Sequence, residues 1–178
     1  RSILCLMTKY QPVTHVALSP RQAAFDTLQR LSGSDLHADD LIDQELSRAR
    51  LQGPDRGLFA ELVFGVLRWQ GSLDHYLSQL VQQPLGRLEL PVLLLLRLGV
   101  YQLRHLDRVP VHAAVHETVE LAKIVLPRAK GLINGVLRSY LRQQHSLSLP
   151  DPIRQPVAWL AASCSVPGWL AEQWLQQL

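Results

Sequence analysis

The chain has 178 residues, 47% of them hydrophobic and 19% charged, with a formal net charge of +3 and two cysteines. That length is one ordinary domain, or one domain plus a short extension, and can bury a core without disulfides or metals. The composition excludes wholesale disorder, and Cys5 and Cys164 stand far apart outside any motif, which excludes a disulfide framework and favours a reducing cytosol.

Residues 1–18 show no sustained period and contain Pro12, so they read as a loose N-terminal arm. Met7 reads as the natural start and Arg1–Leu6 as an extension upstream of it, since that short apolar patch has no small-residue cleavage site. Ser19-Pro20 has the form of an N-cap followed by proline at the first helical position, and Ala24, Leu28 and Leu31 follow at helical spacing up to Gly33. A second helix is predicted over Ala38–Arg50. Leu41, Ile42, Leu46 and Ala49 form its apolar side, with Asp39, Asp40 and Asp43 near its start and Arg48 and Arg50 near its end, as the helix dipole favours.

Gly53-Pro54 reads as a break. A long helix then runs from Asp55 to about Trp69, with Leu58, Leu62, Val63, Val66 and Leu67 as its stripe and Gly65 allowing close helix approach. Gly71-Ser72 reads as another break before a helix over Leu73–Val81, and Pro84-Leu85-Gly86 as a loop. Leu88–Leu106 is the most hydrophobic helix and the expected centre of the fold. Its longest apolar stretch, Leu90–Leu96, is too short to cross a bilayer, and no membrane partner is expected. After the turn Arg108-Val109-Pro110, helices are predicted over His112–Val125, ended by Pro127, and over Lys130–Gln144. Ser146–Pro156 reads as a linker, followed by short helices over Val157–Ala162 and Pro167–Leu178, the last capped by Ser165. No strand pattern and no fixed-period repeat is present, so the fold class is all-α, with about seven core helices and a short C-terminal helical extension.

The charge is uneven. Residues 97–142 carry eight Lys or Arg against three Asp or Glu, a net +5, while the rest of the chain is near neutral or slightly acidic. Such a distribution suits a polyanion, RNA first, and fits solvated helix faces equally well.

Four segments in order narrow the helical bundle. These are Asp55–Arg68, ending Phe64-Gly65-Val66-Leu67-Arg68; Leu98-Gly99-Val100-Tyr101-Gln102-Leu103; Val109-Pro110-Val111-His112-Ala113-Ala114-Val115; and Lys130-Gly131-Leu132-Ile133-Asn134-Gly135-Val136-Leu137-Arg138. Together they resemble the NusB-like RNA-binding fold over roughly residues 20–145, and their spacing resembles the N-terminal domain of Sun/Fmu-type (RsmB) ribosomal RNA cytosine methyltransferases. Ser165-Val166-Pro167-Gly168-Trp169-Leu170 is similar to the helix that leads from that domain into the methyltransferase.

The resemblance implies a division into a flexible arm (1–18), a NusB-like RNA-binding domain (19–145), and a linker with the start of a segment leading to a methyltransferase domain outside the chain (146–178). It implies small-subunit (16S) ribosomal RNA and the chain's own methyltransferase domain as partners, and a cytoplasmic location. It also implies S-adenosylmethionine as a cofactor of that further domain, none being expected in this segment. On this reading the 178 residues are not themselves catalytic. The rivals are a stand-alone NusB-like antitermination factor, against which the Trp169 segment argues, and a helical protein-interaction domain, which would show a large exposed apolar patch in place of a basic one.

The candidate RNA contacts are Arg21, Arg104, Arg108, Arg128, Lys130, Arg138 and Arg142. Arg138 and Arg142 are four apart and share a helix face, Arg128 and Lys130 precede that helix, and Arg21 opens the first one. Guanidinium groups suit bidentate phosphate contact and stacking on exposed bases. Arg68 and Arg97 lie among apolar residues and are expected to be internal ion-pair partners of Glu61 or Glu120. Tyr101 and Tyr140 are expected at the edge of the core.

Ser163-Cys164-Ser165 is superficially similar to the Thr-Cys-Ser motif of RNA cytosine methyltransferases, whose thiolate adds to the pyrimidine ring. No parallel-sheet pattern surrounds it and no second Pro-Cys motif exists, so Cys164 is read as a structural thiol. His112 and His116 share a helix face, but a metal site needs more ligands, and packing or capping is the reading preferred. Gly131 and Gly135 lie within or near one helix and are not a phosphate-binding turn.

Overall fold

The computed structural model describes residues 18–33 and 38–177. The expectations for the N-terminal arm, for Met7 and for Cys5 lie outside the described residues. Among the described residues there are nine α-helices and no strands: α1 (Pro20–Leu31), α2 (Ala38–Ala49), α3 (Gly53–Arg68), α4 (Gln70–Ser78), α5 (Leu90–His105), α6 (Val111–Val125), α7 (Lys130–Gln143), α8 (Pro156–Cys164) and α9 (Gly168–Gln176). Single 3₁₀ turns, Leu85–Arg87 and Pro127–Ala129, precede α5 and α7. The fold class is all-α, as the periodicity predicts. No described helix is long and apolar enough to cross a membrane.

Helix starts follow local chemistry. The Ser19 hydroxyl oxygen accepts the Gln22 N–H at 3.1 Å, and Pro20 opens α1 where its missing N–H costs nothing. The same proline logic opens α3 and α5, with Pro54 and Pro91 in their first turns. Gly53-Pro54 therefore starts a helix directly after a turn in which Arg50 and Gly53 both have positive φ. The break expected at Gly71-Ser72 falls two residues earlier, at Trp69, and both residues lie inside α4. A Cβ on Gly71 would meet the Ala161 carbonyl oxygen at 2.6 Å, so this glycine serves the approach of α8 to α4. Ser165 does not cap α9. It ends α8 in the left-handed conformation, and its hydroxyl oxygen accepts the Ser72 N–H at 3.0 Å. Pro167 occupies the N-cap position of α9 instead.

Helix α5 is the hub. It packs against α1, α3, α4, α6 and α7, and Leu94, Leu95, Leu96, Leu98 and Val100 are buried. Two glycines set the closest crossings. A Cβ on Gly65 would overlap the Tyr101 ring, and one on Gly99 would meet Leu137 Cδ2 at 2.6 Å. Helix α8 packs on α4, and α9 on α8, with Ala162 and Ala171 buried.

Candidate nucleic-acid interface

The long helices that carry the predicted cations do not all offer them to solvent. Arg21 lies half-buried, its Nε donating to Gln102 Oε1 at 2.7 Å. The Gln102 amide in turn donates to the Leu98 carbonyl (3.0 Å) and to Thr118 Oγ1 (3.2 Å), so α1, α5 and α6 are joined by one satisfied buried group. Burial lowers the Arg21 pKa from the ordinary guanidinium value, with Glu117 and Asp55 opposing. Arg104 is exposed, lies over the Tyr76 ring at 4.2 Å and donates to the Tyr76 hydroxyl at 2.9 Å, a neutral partner. Arg128 is exposed but paired with Glu89 at 2.6 Å. Arg108 stands exposed in a separate cleft at the end of α5, among Asp55, Glu61 and Asp107.

Lys130, Arg138 and Arg142 are the cations that α7 brings together on its solvent side, while Ile133, Val136, Leu137 and Tyr140 face inward. The Arg138 Nε donates to Asn134 Oδ1 at 3.1 Å and the Arg142 guanidinium to Ser139 Oγ at 2.8 Å. Both partners are neutral, so neither positive charge is cancelled by a paired carboxylate. An arginine four residues from its like is mildly unfavourable on a helix, and an anion removes that cost.

Arg138 sits on the divide between two clefts. One, of about 740 Å³, lies between α6 and α7, with Val111, Val115, Val119 and Leu141 as its apolar wall and Glu120 and Lys123 at its border. His112 and His116 line it, and they belong to no group of three or more metal-ligating residues among those described. The other, of about 660 Å³, lies between α7 and the segment after α4. Sequence reasoning missed this second groove. Its signals were Gln82-Gln83 in a polar loop and the one-turn spacing of Gly131 and Gly135 on the exposed side of α7, which could be read only with the loop opposite them in place.

The internal pairs differ from expectation. Arg97 makes a two-pronged ion pair with Asp74, both bonds 2.7 Å, rather than meeting Glu61 or Glu120. Arg68 lies over the Trp69 ring at 5.7 Å. Glu61 instead accepts the Tyr101 hydroxyl. Burial, with Glu61 second, pushes the Tyr101 hydroxyl well above its ordinary pKa. Tyr101 and Tyr140 are fully inside the core rather than at its edge. Trp69, His105 and Tyr101 stack in a ladder with centroid spacings of 5.0 and 5.1 Å. Cys164 is a free thiol, exposed at the end of α8 with Ser163 Oγ 3.4 Å from its Sγ.

The NusB family model matches residues 18–142. The chain is 38% identical over 157 residues to the probable ribosomal RNA small subunit methyltransferase B of Synechocystis sp., an alignment covering 87% of this chain and 34% of that protein. It is 36% identical over 159 residues to the Bacillus subtilis protein of the same description, covering 88% and 34%. It is 44% identical over 127 residues to the ribosomal RNA small subunit methyltransferase B of Sodalis glossinidius, covering 71% and 28%. The chain spans about a third of the length of the curated relatives it matches. The family match runs from the residue before the Ser19 cap to the last turn of α7, which takes in the hub helix and all the cations described above, and the chain belongs to the NusB family.

Proposed function

We propose that this chain is the RNA-binding domain of an S-adenosylmethionine-dependent ribosomal RNA cytosine methyltransferase, and that it holds small-subunit ribosomal RNA for a catalytic domain. The observation that carries the RNA reading is the solvent side of α7, where Arg138 and Arg142 have only neutral hydrogen-bond partners. Lys130 extends this face towards the start of the helix, and Arg128 stands just before it. The relatives' names support the ribosomal substrate and the methyltransferase parent. A cytoplasmic location follows from that substrate.

On this reading the role of these helices is to bind and orient RNA. Gly131 and Gly135 lie along one helix, not in a turn between strand and helix that would cradle a nucleotide-like cofactor. The domain's contribution is placement, which lowers the entropic barrier for a reaction carried out elsewhere in the protein.

The test is binding of a ribosomal RNA fragment to the 178-residue chain as a function of salt. Affinity is expected to fall steeply as salt rises, and the Arg138→Glu/Arg142→Glu double variant to flatten the log–log slope by about 1.4, two single-strand phosphate contacts' worth. Arg56→Glu, an exposed site on α3, should change the slope little. Salt-independent affinity, or equal losses at both sites, would remove α7 from the interface.

A further inference from the structure

The groove between α7 and the segment after α4 differs in charge from the other clefts described. Arg138 and Arg142 line it, and no Asp or Glu does. Four other clefts among the described residues each have a carboxylate in the wall, whether Glu120, Asp74, Asp26 with Glu45, or Asp55 with Glu61 and Asp107. Glu89, next in the chain to Leu88 of the groove wall, is taken up by Arg128 at 2.6 Å. The groove therefore concentrates positive charge without an internal counter-ion.

Its remaining wall is partly apolar. Leu132 is 45% exposed, and the half-buried Leu80, Val81 and Leu88 continue the surface. Gln82 and Gln83 add exposed amide groups, which both donate and accept. An anion alone would leave the apolar wall wet, and an apolar ligand alone would leave the guanidinium groups uncompensated. A nucleotide presents a phosphate, a flat base face and a hydrogen-bonding base edge together. The volume of about 660 Å³ is that of a small-ligand site. A duplex hides its base faces in the stack, whereas a single strand can splay a base out.

We propose that this groove takes one splayed nucleotide of a single-stranded RNA. Its phosphate lies against Arg138 and Arg142, its base face against Leu132, and its base edge within reach of the Gln82-Gln83 amides. The proposal rests on the RNA-binding reading and narrows it to one place and one strand state.

Gly135 allows a clean test, because a Cβ there meets nothing within 4 Å and the residue lines the groove. Gly135→Leu fills the groove without changing charge, and replacing a helical glycine favours the helix. Fluorescence anisotropy would compare the 178-residue chain and this variant on a labelled RNA single strand of about 12 nucleotides and on the same strand annealed to its complement. A thermal melt would confirm that the variant folds, and Gly131→Leu, also open and in the same wall, is the second blocking variant. The expected result is single-strand affinity above duplex affinity, with each blocking variant weakening single-strand binding about tenfold and duplex binding by no more than about twofold. Single-strand binding unchanged in both folded variants would overturn the groove while leaving RNA binding by α7 in place. Absence of any RNA binding at low salt would remove both. A poly-glutamate peptide that displaces nothing supports the RNA assignment. One that binds more tightly than RNA, and is lost in the same variants, makes the groove a protein-docking site and overturns it.

Discussion

Arg97 lies in the hub helix α5 and is only 8% exposed, which makes Asp74 the residue on which its charge depends. Removing one partner of a buried pair leaves an uncompensated ion, a larger loss than the pair's net gain. Asp74 is itself about a third exposed, so solvent screens part of the effect. Asp74→Ala is expected to lower stability by about 2–3 kcal/mol, read as a shift in urea midpoint at constant slope. Arg97→Met/Asp74→Leu should recover most of that loss; a double variant as unstable as the single would mean that the ion pair itself, and not the orphaned charge, carries the energy. His105 offers a second test. Its Nε2 is buried without a hydrogen-bond partner, and burial first, then Arg104, lowers its pKa from the ordinary 6.5, with Glu61 opposing. The unfolded chain then binds the proton more readily than the folded one. Stability is present above pH 6.5 and declines as pH falls from there towards the lower folded-state value. His105→Phe keeps a ring in the stack and removes the titration, so its denaturation midpoint should fall less between pH 7 and pH 5 than that of the wild type. Parallel profiles would clear His105 of the effect.

At the scale of elements, glycines separate into those that packing demands and those it does not. Gly65 and Gly99 sit under Tyr101 and Leu137 where α3 and α7 cross α5, whereas Gly135 has open space beside it. Gly65→Ala is expected to cost about 1–3 kcal/mol, because the Tyr101 ring must move and its bond to Glu61 is disturbed. Gly135→Ala should gain about 0.5–1 kcal/mol from helix propensity alone. Thermal melts of the two variants shifting in the same direction would contradict this division. Glu45, 1% exposed, ties α1 to α2 through Arg30 and Arg48, with Asp26 completing the network. Arg48 is therefore a structural cation, and charge reversal there would unbalance the helix pair rather than report on RNA.

At the scale of the molecule, α8 and α9 are held to the bundle through α4. The Gly71–Ala161 approach, the Ser165 hydroxyl on the Ser72 N–H, and the Ser148 carbonyl 2.8 Å from His75 Nε2 are the points of attachment. Gly71→Leu is expected to release α8–α9 without unfolding α1–α7. Limited proteolysis would show new cleavage within residues 147–155 while the helical signal falls only by the share of the two short helices. Cooperative loss of all helical signal would instead make α8–α9 part of one folding unit with the bundle.

The all-α class, the order of the helices and the apolar centre at α5 were legible from periodicity and from prolines in first turns, because both are local consequences of 3.6-residue geometry. The family was legible because its motifs lie within single helices. What local pattern could not separate was a glycine that breaks a helix from one that admits a neighbour. The break lies at Trp69, and Gly71 two residues later admits α8, which only the position of α8 reveals. Partner choice among charges was equally hidden: Arg97 meets Asp74 rather than Glu61 or Glu120, and Arg21 and Arg104 turn to Gln102 and Tyr76. The groove walled by α7 and the segment after α4 joins residues some fifty positions apart. Sequence alone determined which residues form helices and which sides of them are apolar, because those depend on neighbours three and four positions away. Tertiary structure decided which cations stay uncompensated, because charges pair across helices, at distances that no period along the chain records.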